Sequence, residues 1–184
     1  MKTAAFDSVY VGSIPTPPAK KEVTKMLEKS WKTMEGQKIE DLVKTLKVLL
    51  AEPDKEVHVG SDSQQSGKFT ELVTVIVVLT KGKGGRAFYI REKLIRIKSL
   101  RERLMREVWM SVNVGLELNS HIPETVGLTV HIDANPNLKF KSSSHVKELT
   151  AMVVSQGFKT LLKPNSWCAS HAADHVVKNK VMGM

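Results

Sequence analysis

Three aspartates sit at positions where a carboxylate is costly unless something positive compensates it. Asp62 closes the strand-like run Val57-His-Val-Gly-Ser-Asp62, and Asp133 closes Leu128-Thr-Val-His-Ile-Asp133. Asp174 falls in the helical pattern Cys168-Ala-Ser-His-Ala-Ala-Asp174. An ionised carboxylate at the end of an apolar strand needs a cation or a full set of hydrogen bonds to hold its charge. Each aspartate alone has a plainer reading, because Ser61-Asp-Ser-Gln64 and Asp133-Ala-Asn-Pro-Asn137 are also good turn chemistry. If the two strands lie side by side in parallel, however, both aspartates emerge at one sheet edge. Like charges there repel unless a cation lies between them.

A fourth acid comes from the helical stretch Leu100 to Leu118. At about 100° per residue, its apolar face gathers Leu104, Val108, Val112 and Leu118. Glu107 lies at the margin of that face and is the acid directed toward a sheet. Glu102 and Glu117, with Arg106 and Asn113, fall on the opposite side and read as solvated surface. On the last helix, His171 and Asp174 are three residues apart and share a face. His171 is a candidate ligand or proton shuttle, whereas His175 reads as surface. Oxygen donors without paired thiolates or a His-Glu-x-x-His arrangement suit Mg²⁺ or Mn²⁺ over zinc. In a two-metal site one ion activates water and the other stabilises a leaving oxygen, which is phosphodiester chemistry.

The charge balance agrees with a polyanionic partner. Among 184 residues, 28 Lys and Arg face 19 acids, a net charge of +9. Arg91 to Arg106 alone holds seven basic residues against two acids. This stretch is either a solvated helix face or a phosphate track, with Arg101, Arg103 and Arg106 as contacts and Lys163 as a further one. With ten aromatics and no aromatic-basic interleaving, a base-stacking platform is not expected. The single cysteine, Cys168, excludes an internal disulfide and a Cys-rich zinc site, fits a reducing compartment, and reads as packing. No run has signal-peptide or membrane-spanning length, so a cytoplasmic protein that avoids membranes is expected. Nothing in the sequence fixes the oligomeric state.

The elements that must position these acids follow from periodicity. Residues 1–18 end in Ile14-Pro-Thr-Pro-Pro and read as loose, and Gln37 to Ala51 reads as a helix. Together 1–54 form an N-terminal extension ahead of a domain over 55–184. Strands are predicted at Val57–Asp62, Leu72–Leu79, Ala87–Ile97, Val126–Asp133 and Lys159–Lys163. Helices follow at Leu100–Leu118, Ser144–Gln156 and Trp167–Lys178. Lys81-Gly-Lys-Gly-Gly85 lacks phosphate-loop spacing and is a hairpin turn. Ser142-Ser-Ser144 reads as a helix cap. The order is βββαβαβα, an α/β fold with a five-stranded mixed sheet, three antiparallel strands then parallel additions, and helices on both faces.

That order, with Asp62, Glu107, Asp133 and Asp174 placed as above, resembles the ribonuclease H-like superfamily, and more narrowly the YkuK-like group of predicted ribonuclease H-related nucleases. The resembling segments include His58-Val-Gly-Ser-Asp-Ser-Gln64, Arg106-Glu-Val-Trp-Met-Ser111, Val130-His-Ile-Asp-Ala-Asn135 and Ala169-Ser-His-Ala-Ala-Asp174, spread over about 55 to 184. The resemblance implies divalent metal and phosphodiester hydrolysis through those four acids; it supplies no substrate, and the expected partner is nucleic acid, whether RNA, DNA or an RNA–DNA hybrid. The alternative is a module on the same fold that binds nucleic acid without turnover. An actin-like ATPase or sugar kinase, which shares the strand order, would need a duplicated domain and glycine-rich phosphate turns that this chain lacks.

Overall fold

The computed structural model describes residues 26–168. Within them the chain forms β1 (Lys32–Thr33), α1 (Leu42–Leu50), β2 (Lys55–Ser66), β3 (Phe69–Thr80), β4 (Gly84–Ile95), α2 (Leu100–Asn119), β5 (Gly127–Ile132), α3 (Val146–Val154) and β6 (Lys159–Leu162). The sheet has six strands in the order β1-β4-β3-β2-β5-β6. The expected five are therefore joined by a sixth. β1 is a two-residue edge strand, too short to leave a period-2 pattern in sequence, that pairs antiparallel with Phe88 and Tyr89 of β4.

β2, β3 and β4 make an antiparallel meander, and β5 joins β2 in parallel through the α2 crossover. β6 then joins β5 in parallel through α3. β3 lies inside the sheet, and its run Leu72 to Val78 is buried on both faces, as a β-branched stretch without alternation predicts. Gly82 and Gly84 carry the β3–β4 turn at positive φ, so the glycine-rich segment is the hairpin its composition predicts.

The two sheet faces are covered differently. Val57, Val59, Leu72, Ile76, Val78, Phe88, Ile90 and Val130 share one core with α1, α2 and α3. Val73, Val75, Val77 and Tyr89 face the other way and meet Met34, Trp167 and Cys168. Helices were expected on both faces. Among the described residues all three α-helices lie in the first core, and the second face is met where the final helix begins, at Trp167 and Cys168. The rest of the span expected as the final helix, with His171, Asp174 and His175, lies outside the described residues.

The boundaries shift for local reasons. The helix expected over 37–51 starts only at Leu42, where Asp41 accepts from the Lys44 N–H at 2.8 Å. Before it, Ile39 N–H bonds to the Trp31 carbonyl at 2.9 Å, so the chain there is still extended. Met26, Leu27, Trp31, Leu42, Leu46 and Leu50 belong to the same core as the sheet. α2 matches its predicted span and is capped by Ser99, whose hydroxyl accepts from the Glu102 N–H at 3.3 Å.

Candidate active site at the sheet edge

Parallel pairing between β2 and β5 sets Val59 against Val130 and Gly60 against His131, where the ladder ends. Carried two residues further along each chain, that register sets Asp62 level with Asp133. The two aspartates expected to converge thus each lie two residues beyond the last β2–β5 pair. The strand does not end at Asp62, however. β2 continues to Ser66 because its hairpin with β3 continues, with Asp62 opposite Val73 and Ser66 opposite Phe69. Past Asp62 the meander stands alone as a ridge roughly 13 Å long, at about 3.4 Å per residue. The edge is therefore a step, with acids at its foot.

Alternation along β2 assigns the faces. Ser61 Oγ lies 2.8 Å from Ser111 Oγ of α2 and 2.9 Å from Thr74 Oγ1. The Ser63 hydroxyl donates to Glu107 Oε1 at 2.6 Å. Both serines face the helices, so Asp62 between them leaves from the opposite face, shared by His58. Its Oδ1 accepts from the Ser63 backbone N–H at 2.7 Å. Glu107 is 4% exposed, as its position at the margin of the apolar stripe predicts. Burial, and then the negative charge of Asp62, push its carboxyl up to about 8. The Ser63 bond and Arg103 oppose that rise, and Asp133 adds to it. Glu107 thus senses the charge of both aspartates.

Each carboxylate nevertheless has its own partner. Asp133 Oδ1 lies 2.7 Å from the Lys163 ammonium, which follows β6 at the same edge. Asp62 turns to the Ser63 N–H, and Glu107 to the Ser63 hydroxyl. Among the described residues no group of three His, Cys, Asp or Glu side chains is gathered to hold a metal ion. Of the four acids expected to ligate, the structure brings Asp62, Glu107 and Asp133 to one edge, while Asp174 and His171 lie outside the described residues. The donor chemistry fits a hard cation. Burial, with the charges of Asp62 and Asp133 added, disfavours the ionised form of Glu107, a penalty that a divalent ion held among these carboxylates would relieve.

The basic candidates divide. Arg101 pairs through two nitrogens with Glu148 of α3, tying two helices together. Arg106 is exposed, and Arg103 is half-buried beside Glu107. Lys163 is engaged by Asp133. Glu117 overturns its surface assignment. It is 7% exposed and accepts from the backbone N–H groups of Met26 and Leu27 at 2.8 and 3.0 Å. The segment before β1 covers that side of α2, which a helical wheel of α2 alone cannot show. Asn113, also placed on the wet side, is buried as well.

Two buried histidines escaped sequence reasoning. His58 Nδ1 and His131 Nε2 are 3.0 Å apart, with the Trp167 ring 4.9 and 5.0 Å from theirs. They flank the β2–β5 ladder on the face of Asp62 and Asp133. Burial and the neighbouring His58 push His131 down to about 4, and burial lowers His58 as well, against the pull of Glu56. The signal was present in sequence, since each histidine stands one step inside an apolar strand. Cys168 is fully buried, and desolvation pushes its thiol up, which fits packing and not nucleophilic chemistry. No described helix is long and apolar enough to cross a membrane.

A family model described as Ribonuclease H-like matches residues 37–178. Among solved structures the chain is similar to the N-terminal RNase H domain of Rv2228c from Mycobacterium tuberculosis, solved as a fusion with maltose-binding protein. Identity is 15%, over 68% of this chain and 98% of that one, at a TM-score of 0.34. No curated protein matches.

Proposed function

The chain belongs to the ribonuclease H-like family, and from that premise we propose that it is a divalent-metal-dependent nuclease, of the YkuK-like kind, that hydrolyses phosphodiester bonds. The observation that carries the reading is a buried Glu107 that feels the charges of both Asp62 and Asp133, each two residues beyond the last β2–β5 pair. Asp62, Glu107 and Asp133, with Asp174 from the final helix, would hold Mg²⁺ or Mn²⁺. Bound there, the ions supply positive charge to phosphate oxygens and make water a competent nucleophile at neutral pH. The chain's own residues do the positioning. Ser63 fixes the Glu107 carboxylate, and Lys163 can exchange Asp133 for a phosphate oxygen. Arg103 and Arg106 extend positive charge along α2 from the acidic edge. His171 is retained as a candidate proton carrier.

One observation favours the non-catalytic alternative: Lys163 already balances the charge of Asp133. A substrate panel of single-stranded, duplex and hybrid RNA and DNA with Mg²⁺, Mn²⁺ or EDTA separates the readings. The nuclease reading expects cleavage that needs metal and falls at least a hundredfold in Asp62→Asn and Asp133→Asn. Binding without metal-dependent cleavage by the wild type selects the module. Equal nicking by wild type and both variants assigns the activity to a contaminant and ends the proposal.

A further inference from the structure

The chain leaving the acidic edge after Asp133 forms a loop, residues 134–142, whose backbone is tied to itself at every turn. Asn135 Oδ1 accepts from the Asn137 N–H at 2.9 Å, and Asn137 Oδ1 accepts from the Lys139 N–H at 3.0 Å. The Phe140 N–H bonds to the Asn137 carbonyl at 3.0 Å. Ser142 closes the loop, its hydroxyl accepting from the Asn135 N–H at 3.0 Å. Side-chain-to-backbone bonds of this kind replace the ladder that the loop lacks. Yet the result holds two large apolar side chains in water: Leu138 is 91% exposed and Phe140 is 51% exposed.

These side chains alternate with charge, in the order Leu138-Lys139-Phe140-Lys141, and no acid occurs from Ala134 to Lys147. An aromatic ring held out by a fixed backbone and flanked by ammonium groups matches a nucleobase flanked by phosphates. A base within a duplex is already stacked on both faces, so the ring fits an unpaired one. Preorganisation of the loop lowers the ordering cost of such a contact.

We propose that loop 134–142 is the substrate grip of this edge, with Phe140 stacking on an unpaired nucleobase and Lys139 and Lys141 contacting the flanking phosphates. It deepens the nuclease reading, on which it rests, by directing single-stranded or locally unpaired nucleic acid to the step beside Asp133.

Binding in EDTA tests the grip apart from cleavage. The full chain is titrated with oligothymidylate, oligouridylate and a blunt duplex of equal length. Phe140→Ala is expected to weaken binding of one or both single strands by about tenfold or more and to leave the duplex nearly unchanged. Phe140→Trp is expected to keep single-strand affinity, with its indole emission quenched on binding. Lys139→Ala and Lys141→Ala should each reduce the salt slope for a single strand by about 0.7. Unchanged single-strand affinity in Phe140→Ala, or a Phe140→Trp indole indifferent to both strands, overturns the proposal and leaves the loop as a protein-docking surface. Metal-dependent cleavage together with Phe140-independent binding removes only the grip. Phe140-dependent binding without cleavage removes only the nuclease.

Discussion

The Ser63 hydroxyl donates to Glu107 Oε1 at 2.6 Å, and this bond holds a buried carboxylate against the strand that carries Asp62. The bond favours the ionised form of Glu107, opposing the burial and like charge that raise it. Ser63→Ala should therefore destabilise the metal-free protein by about 1–3 kcal/mol where Glu107 is charged. The loss should shrink where Glu107 is protonated. Urea unfolding at pH 9 and pH 6 measures both, and an equal loss at the two pH values would detach Ser63 from the ionisation of Glu107.

Glu107 makes a second prediction about pH. Its carboxyl titrates at about 8 in the folded protein, above the value near 4.3 of an unfolded chain. The folded state thus binds the extra proton between those limits. Its contribution to stability is complete below about pH 4 and is lost as pH rises through 8. Removing that titration in Glu107→Gln should flatten the stability of metal-free protein from pH 5 to 9 by an amount on the order of a few kcal/mol. Parallel wild-type and variant curves would assign the alkaline loss to other groups.

On the nuclease reading Lys163 would compete with a divalent ion for Asp133, since its ammonium already holds Oδ1 at 2.7 Å. Lys163→Met should bind Mn²⁺ several-fold more tightly by calorimetry. It should also lower oligonucleotide affinity measured at saturating Mn²⁺, where the lysine is free to meet phosphate. Weaker Mn²⁺ binding in the variant would instead make Lys163 part of what keeps the acids in place.

Glu117 is structural. Removing its carboxylate leaves the Met26 and Leu27 N–H groups without their acceptor, so Glu117→Ala should lower unfolding free energy by about 2 kcal/mol. Nucleic-acid affinity should stay at the wild-type value. A variant as stable as wild type would show that the segment before β1 is held by Trp31 and its apolar neighbours alone.

Legibility in the sequence followed the reach of the interactions concerned. β3, α2 and the glycine-rich hairpin are specified by neighbours a few residues away, and their periodicity placed them well. Glu107 was found for the same reason, since one helix's own geometry points it at the sheet. Glu117 was misplaced because its partners, Met26 and Leu27, come from a segment distant in sequence. β1 exists only because β4 offers it an edge. The helix-capping role expected for Ser142–Ser144 gave way to a loop clasp at Ser142. Leu138-Lys-Phe-Lys141 passed unnoticed as an aromatic-basic stretch, because only exposure distinguishes it from buried apolar residues beside lysines. The parallel neighbourhood of β2 and β5 follows from topology, and their ladder ends at Gly60 and His131, two residues short of Asp62 and Asp133.

The parallel seam between β2 and β5 also sets an order of assembly. The β2–β3–β4 meander is built from hairpins and can close early, whereas β5 must wait for the whole α2 crossover. Asp62 is thus placed by local hairpin contacts, and Asp133 by a contact far apart in sequence. The edge gains its second carboxylate only when β5 docks, so maturation of the acidic step is coupled to closure of the sheet's most distant contact with β2.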